Sequence, residues 1–368
     1  WSSSAMMATR LPAVTPAQSG RNHPETGRQH AGNTREATVT DRIPIMADGL
    51  PEIFHEALGD RYEVLDWDPS QGSDALARSV AIISYAHPLA DGELMDRMAN
   101  LVVISNHGVG VDHIDLVAAR ERDIPVGNTP GCLDAATADM TMALVMAVGR
   151  NLRIGDLFAR SSEFLHYDPS ILIGQEITGS TLGIIGMGRI GKEVARRAAG
   201  FDMTVLYHNR NRDEVAEAEL GVQYATRDEL LAASDFVTLN CPLSDETTGM
   251  IGPAEFETMK TSAFLVNMAR GPVVQTDALH TALTTGQIRG AALDVTDPEP
   301  LPRDHPLLGV ENVIILPHLG SASNRAREMM MNMSIENLEA GLAGEELPYR
   351  ILPPGSDAPP VVGGLTPS

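Results

Sequence analysis

Three polar residues in the C-terminal half stand where apolar runs give way to loops. Arg270 follows such a run in NMARGPVV, Glu299 lies between two prolines in LDVTDPEPLP, and His318 comes directly after Pro317 in IILPHLGS. Each run reads as a β-strand, and ligands of open α/β sheets bind beyond the carboxyl ends of the strands. A guanidinium there can fork onto a carboxylate. An imidazole can donate a proton near neutral pH, and a carboxylate beside it favours its charged form. Taken singly, each residue is ordinary, since a histidine at a loop start is more often structural. Together they supply what hydride transfer to a carbonyl needs: a proton donor for the developing alkoxide, a cation for an anionic substrate, and a group that keeps the donor charged.

A hydride must come from somewhere, and TLGIIGMGRIGKEVARRAAG offers a place for its carrier. Gly186, Gly188 and Gly191 form a G-x-G-x-x-G array, with Met187, Arg189 and Ile190 between them, directly after an apolar strand and at the opening of a helix. In that setting the first glycine permits the tight turn, the second lets a pyrophosphate approach the backbone, and the third lets helix pack on strand. The anion would face the free N–H groups of a helix N-terminus. An NAD site usually carries an acid at the end of the next strand. Here that strand runs MTVLYHNRNRDE, so the position falls on His208, Asn209 or Arg210, and no acid appears before Asp213. Arg210 and Arg212 are suited to a 2′-phosphate. NADP(H) is therefore expected, with NAD(H) the alternative.

These segments sit in a pattern of short apolar strands alternating with helices, which indicates an α/β fold with parallel sheets covered on both faces. Strands are expected at residues 80–84, 101–105, 181–185, 203–207, 236–240, 264–267, 291–295 and 313–316. The clearest helices are expected at 134–149, 189–199, 276–284 and 323–340. The 368 residues favour two domains. Residues 1–40 read as a disordered extension and 348–368 as a flexible tail.

The chain carries 27 basic and 49 acidic side chains, a net charge of −22. That balance excludes nucleic acids and anionic membranes as partners for the surface as a whole. Met140 to Val148, the longest strongly apolar patch, falls short of the ~20 residues that span a bilayer. Two cysteines, Cys132 and Cys241, make no disulfide framework, so a reducing, cytoplasmic setting is expected. His107, His113, His208 and His305 read as structural or exposed, and no metal-ligand spacing is present.

Collectively, NHGVGVDHIDL with IPVGNTPG, the loop GMGRIG, NMARG before ALHTAL, LDVTDPEPLP with DHPLL, and LPHLGS resemble the D-isomer-specific 2-hydroxy-acid dehydrogenases. The resemblance runs from roughly Pro51 to Leu347 and is nearest to the glyoxylate/hydroxypyruvate reductase branch. It implies two Rossmann-like domains with doubly wound parallel sheets. The substrate domain would comprise residues 41–128 plus 317–347, and the inserted NAD(P)-binding domain residues 129–316. It implies a small 2-oxo acid substrate, with Arg270 on its carboxylate and carbonyl oxygen, His318 as proton donor and Glu299 as partner of His318. The backbone N–H groups of Val109 and Gly110 would complete the carboxylate site. Asp294 would lie near the nicotinamide carboxamide, Ala269 and Gly320 beside the cofactor, and Cys241 and Pro242 near its adenosine side. Tyr85, Ala86 and His87 are candidates for the pocket wall, and the region after residue 150 would build a homodimer arm. A dinucleotide-sensing protein akin to the family's corepressors is the reading from another class. The resemblance is weakest in TDRIPIMADGLPE, where the usual opening strand has little signal.

Overall fold

The computed structural model describes residues 42–68 and 74–353; the expected extension over residues 1–40 lies outside them. Two sheets are formed. The first has six strands: β1 (Ile43–Ala47), β2 (Tyr62–Asp66), β3 (Ala81–Ser84), β4 (Val103–Asn106), β5 (Val126–Gly127) and, last in sequence, β13 (Arg350–Ile351), in the order β13-β5-β4-β3-β1-β2. The second has seven: β6 (Thr181–Ile185), β7 (Thr204–His208), β8 (Gln223–Tyr224), β9 (Phe236–Leu239), β10 (Phe264–Asn267), β11 (Gly290–Leu293) and β12 (Val313–Ile315), in the order β12-β11-β10-β9-β6-β7-β8. All pairings are parallel except that of β13 with β5. The order in each sheet reverses beside its first strand, which opens a crevice at the carboxyl ends.

The central strands are apolar throughout because helices cover both faces. Residues 236–239, 264–267 and 290–293 are buried without exception. Phe236 and Phe264 stack with ring centroids 5.2 Å apart. The helix Asp134–Gly149 packs along the second sheet on Ala138, Met142, Val145 and Val148. At its end a Cβ on Gly149 would lie 2.9 Å from the Phe236 ring, so glycine sets that close approach. The helix Asn324–Ala343 returns to the first sheet, where Ser105 Oγ donates to the Ser334 carbonyl at 2.7 Å. A small apolar cluster of Cys132, Leu133, Ala326, Met330 and Met333 also touches Val109 and Ile190, one from each candidate ligand loop.

The opening strand does form. Ile45, Met46 and Ala47 are buried, and β1 pairs with both β2 and β3. Pro44 hid it from the sequence pattern, yet the Pro44 carbonyl still accepts from Val80 N–H at 2.9 Å. The expected tail over 348–368 does not begin at 348. Tyr349 N–H donates to Asn337 Oδ1 at 3.2 Å, its carbonyl accepts from Asn128 N–H at 3.0 Å, and Arg350–Ile351 close the sheet edge. Two residues carry no period, so nothing in the sequence marks such a strand; residues 354–368 lie outside the described part of the chain.

Candidate active site

The loop after β4 is held by its carbonyls. Asn106 Nδ2 donates to the carbonyls of Gly108 and Gly110, both at 2.9 Å, and Asn128 Nδ2 donates to that of Val109 at 2.9 Å. The N–H groups of Val109 and Gly110 form no hydrogen bond among the described residues. They remain available as donors, as a carboxylate cradle requires.

Arg270 leaves the end of β10 in extended conformation and meets this loop. A Cβ added to Gly110 would lie 1.7 Å from Arg270 Nη2, so only glycine admits the guanidinium there. Arg270 Nε donates to Asp112 Oδ1 at 3.0 Å and Nη1 to the Ala269 carbonyl at 3.0 Å. The Nη2 edge is left for a ligand. Burial is the largest influence and raises the Asp112 carboxyl, but the Arg270 charge and hydrogen bond, a backbone hydrogen bond and the His113 charge together outweigh it, and the net shift is downward. Gly271 presses the same strand end on the turn after β11, since a Cβ there would fall 1.9 Å from the Thr296 carbonyl oxygen.

That turn carries Glu299, whose Oε1 lies 2.8 Å from His318 Nδ1. Burial works against the charged carboxylate, yet the bond to His318 and the charges of His318 and Arg270 hold Glu299 below its ordinary value. With Nδ1 committed to Glu299, Nε2 is the ring nitrogen that makes no hydrogen bond among the described residues. His318 has a left-handed backbone, φ 56°, and Asp294 fixes it from beneath. The Asp294 carbonyl accepts from His318 N–H at 2.9 Å, while its carboxylate accepts from the N–H groups of Leu319 at 2.6 Å and Gly320 at 2.7 Å. Asp294 thus anchors the histidine loop.

The glycine loop has the geometry of a phosphate cradle. Gly186 has φ 103°, and a Cβ on it would lie 2.5 Å from Cys241 N. A Cβ on Gly191 would lie 2.2 Å from the Gly186 carbonyl oxygen, whereas one on Gly188 meets nothing within 4 Å. The face at Gly188 is open, and no side chain caps the helix Arg189–Ala199 behind it. Asn209 Oδ1 accepts from Met187 N–H at 2.7 Å. Ile190 packs in the apolar junction, and Arg189 pairs with Asp134 at 2.9 Å. Beside the loop, both side-chain amide atoms of Asn240 are buried without a partner, an unmet hydrogen-bonding demand that a bound ligand can satisfy. Cys241 is next in sequence, with its thiol pushed up to about 11 by burial, and the Pro242 carbonyl accepts from Thr247 Oγ1 at 2.8 Å. These residues fit a dinucleotide.

The two arginines offered for a 2′-phosphate differ. Arg212 is held by Glu217 through Nε at 2.7 Å and Nη2 at 2.6 Å. Arg210 makes one 3.2 Å contact to Glu246, both side chains being exposed, a pairing worth little. Arg210 is therefore the freer of the two.

Two histidines join the cleft. His87 lies with its ring centroid 5.7 Å from that of His318 and 4.8 Å from that of His113. His113 Nε2 is 2.8 Å from Ser84 Oγ. The sequence reads His113 as structural or exposed and gives no signal for Asp112, because neither has a partner nearby in sequence. Asp112 and Arg270 are 158 positions apart. Among the described residues no group of three His, Cys, Asp or Glu side chains is placed to hold a metal ion, and no helix is long and apolar enough to cross a membrane.

Residues 142–320 match the family model described as D-isomer specific 2-hydroxyacid dehydrogenase, NAD binding domain. The glyoxylate reductase of Korarchaeum cryptofilum is 44% identical over 283 residues, 75% of this chain and 85% of that protein. The glyoxylate reductase of Thermococcus gammatolerans is 41% identical over 309 residues, 81% of this chain and 92% of that protein. Among solved structures, an NADPH-dependent glyoxylate/hydroxypyruvate reductase from Sinorhizobium meliloti, in complex with NADP and malonate, superposes with a TM-score of 0.77 at 29% identity, covering 84% of this chain and 97% of that one. The D-lactate dehydrogenase of Aquifex aeolicus, complexed with NAD and lactic acid, gives 0.75 at 28% identity, covering 82% and 96%.

Proposed function

The chain belongs to the D-isomer-specific 2-hydroxyacid dehydrogenase family, and from that premise we propose that it reduces glyoxylate or hydroxypyruvate to the D-2-hydroxy acid with NADPH, His318 giving the proton. The observation that carries this reading is the placement of Arg270 and the Glu299–His318 pair at neighbouring strand ends opposite the free N–H groups of Val109 and Gly110. The substrate carboxylate would take those N–H groups and Arg270 Nη2. A bound reduced nicotinamide would supply the hydride. His318 Nε2 would give its proton to the carbonyl oxygen as negative charge gathers there. Glu299 stabilises the imidazolium beforehand and keeps the ring oriented.

Gly186, Gly188 and Gly191, with Met187, Arg189 and Ile190, would hold the dinucleotide, and Asn209, Cys241, Pro242, Ala269 and Gly320 would border it. NADPH is preferred because β7 ends without an acid and Arg210 is only loosely held. The test is steady-state oxidation of NADPH with glyoxylate, hydroxypyruvate and pyruvate, repeated with NADH. Turnover with NADPH is expected. Preference for NADH by more than about tenfold, ~1.4 kcal/mol, would overturn the arginine argument, as would a ratio unaltered in Arg210→Ala.

A homodimer is proposed from the segment after residue 150. The helix Leu152–Ala159 has no buried residue, and Leu157, Phe164, Leu165, Tyr167 and Ile173 are all exposed. So much apolar surface in one stretch suits a two-fold contact with a second copy. Sedimentation velocity is expected to show a dimer, and the double substitution Leu165→Asp with Tyr167→Asp a monomer. A monomer before substitution contradicts the assignment. Free Cys132 and Cys241 suit the proposed reducing, cytoplasmic setting.

A further inference from the structure

His87, a candidate for the pocket wall, has no part in the proposed hydride and proton transfer. It follows β3 on the wall of the cleft opposite His318, with a left-handed backbone at φ 62°. Such conformations at residues other than glycine are uncommon and gather at ligand sites. Its ring is half-buried yet makes no hydrogen bond among the described residues, although it lies in contact distance of the His113 and His318 rings. A Cβ on Gly108 would lie 3.4 Å from His87 Nε2, so the ring borders the same loop that carries the Val109 and Gly110 donors.

Charge explains why His87 is not a second acid. Burial pushes its imidazole down to about 4, and the charges of His113, Arg270 and His318 push the same way against Asp112. It is neutral at physiological pH and does not compete with Arg270 for a carboxylate. A neutral imidazole offers one N–H donor and one bare nitrogen acceptor.

A trigonal carbonyl carbon has three in-plane directions. On the reductase reading above, the carboxylate takes the Arg270 and Gly110 side and the oxygen takes His318. The third direction, that of the remaining substituent, meets the wall that His87 supplies. We propose that His87 is a specificity-determining residue, which hydrogen-bonds a hydroxyl on the carbon next to the carbonyl and so selects a 3-hydroxy-2-oxo acid over its 3-deoxy counterpart. A methyl group there would leave the ring nitrogens unpaired, and sites built for a hydroxyl reject analogues that lack it.

Hydroxypyruvate and pyruvate differ only in that hydroxyl, so the ratio of their kcat/KM values is the readout. His87→Gly removes the ring while accepting the left-handed backbone, and His87→Asn restores a polar group in a residue that tolerates it. The expected result is a ratio lowered by about tenfold or more in His87→Gly, chiefly through KM for hydroxypyruvate, and partly recovered in His87→Asn. A ratio within about threefold of the unsubstituted enzyme in both variants, including an equal loss on both acids, overturns the assignment. An unsubstituted enzyme that turns over neither acid overturns the reductase reading and this one with it, whereas an unchanged ratio in an active enzyme overturns this one alone.

Discussion

Replacing His318 by asparagine is expected to lower kcat for glyoxylate reduction by about 10²- to 10⁴-fold, the usual span for losing a general acid, and to leave dinucleotide affinity within about threefold. Asparagine is the informative choice because His318 has a left-handed backbone, which asparagine adopts more readily than most residues. The loop itself does not depend on the ring, since Asp294 holds the N–H groups of His318, Leu319 and Gly320. What disappears is the proton on Nε2 and the partner of Glu299. Fluorescence titration with NADPH separates the two effects. A loss of affinity equal to the loss of kcat would mean that His318 supports the cofactor rather than the chemistry.

The pairing also fixes a pH dependence. The folded protein holds Glu299 below its ordinary carboxyl value, so its contribution to stability is complete above that ordinary value and is lost as pH falls through the lowered one.

Arg270→Ala is the second large effect, and it acts on the other substrate group. The two N–H bonds of Nη2, donated to the carboxylate and the carbonyl oxygen at about 1.5–3 kcal/mol each, correspond to a loss of roughly 10²- to 10⁴-fold in kcat/KM for the oxo acid. The variant leaves the Asp112 carboxylate in the cleft without its cation, so its pKa should rise, and the charge it still carries would repel an anionic substrate. Arg270→Lys should recover little, since an ammonium cannot reach Asp112, the Ala269 carbonyl and a ligand from one planar fork. Inhibition by a non-reacting dicarboxylate should weaken in parallel with turnover, while NADPH titration stays unchanged. Retained inhibition with lost turnover would place Arg270 on the carbonyl oxygen alone.

Much of this site was legible because parallel sheets write their ligand positions plainly. A strand buried on both faces is an apolar run, and the polar residues of the loop after it lie at the carboxyl end. Arg270, Glu299 and His318 were found that way, as was the Gly186–Gly191 loop between its strand and helix. What stayed hidden has two physical causes. Short or proline-bearing strands such as β1, β5, β8 and β13 carry no readable period, and only their neighbours' unpaired backbone groups call for them. Partnerships across the cleft, such as Asp112 with Arg270 or His87 with His318, join segments more than 150 positions apart. The pairing of Arg212 with Glu217 is different, since five positions separate them. Strand-end composition suggested a phosphate ligand for Arg212, and the fold gives it a carboxylate first.

The net charge of −22 takes on a local meaning in this setting. The proposed substrate and cofactor are anions, so the cleft must reverse the sign of the surface around it. Arg270, His318, Arg210 and the backbone N–H groups at Val109, Gly110 and the glycine loop are the groups that do so. Raised ionic strength should therefore weaken substrate capture less than it would for a basic protein, since the attraction acts at contact distance.

The most direct test follows the atoms. Hydroxypyruvate and NADPH are mixed with the enzyme, the nucleotide oxidised is counted by absorbance, and the hydroxy acid formed is resolved on a chiral column. One D-glycerate per NADPH oxidised is the expected result. Binding of NADPH with no turnover of any 2-oxo acid, or formation of the L-isomer, would contradict the assignment.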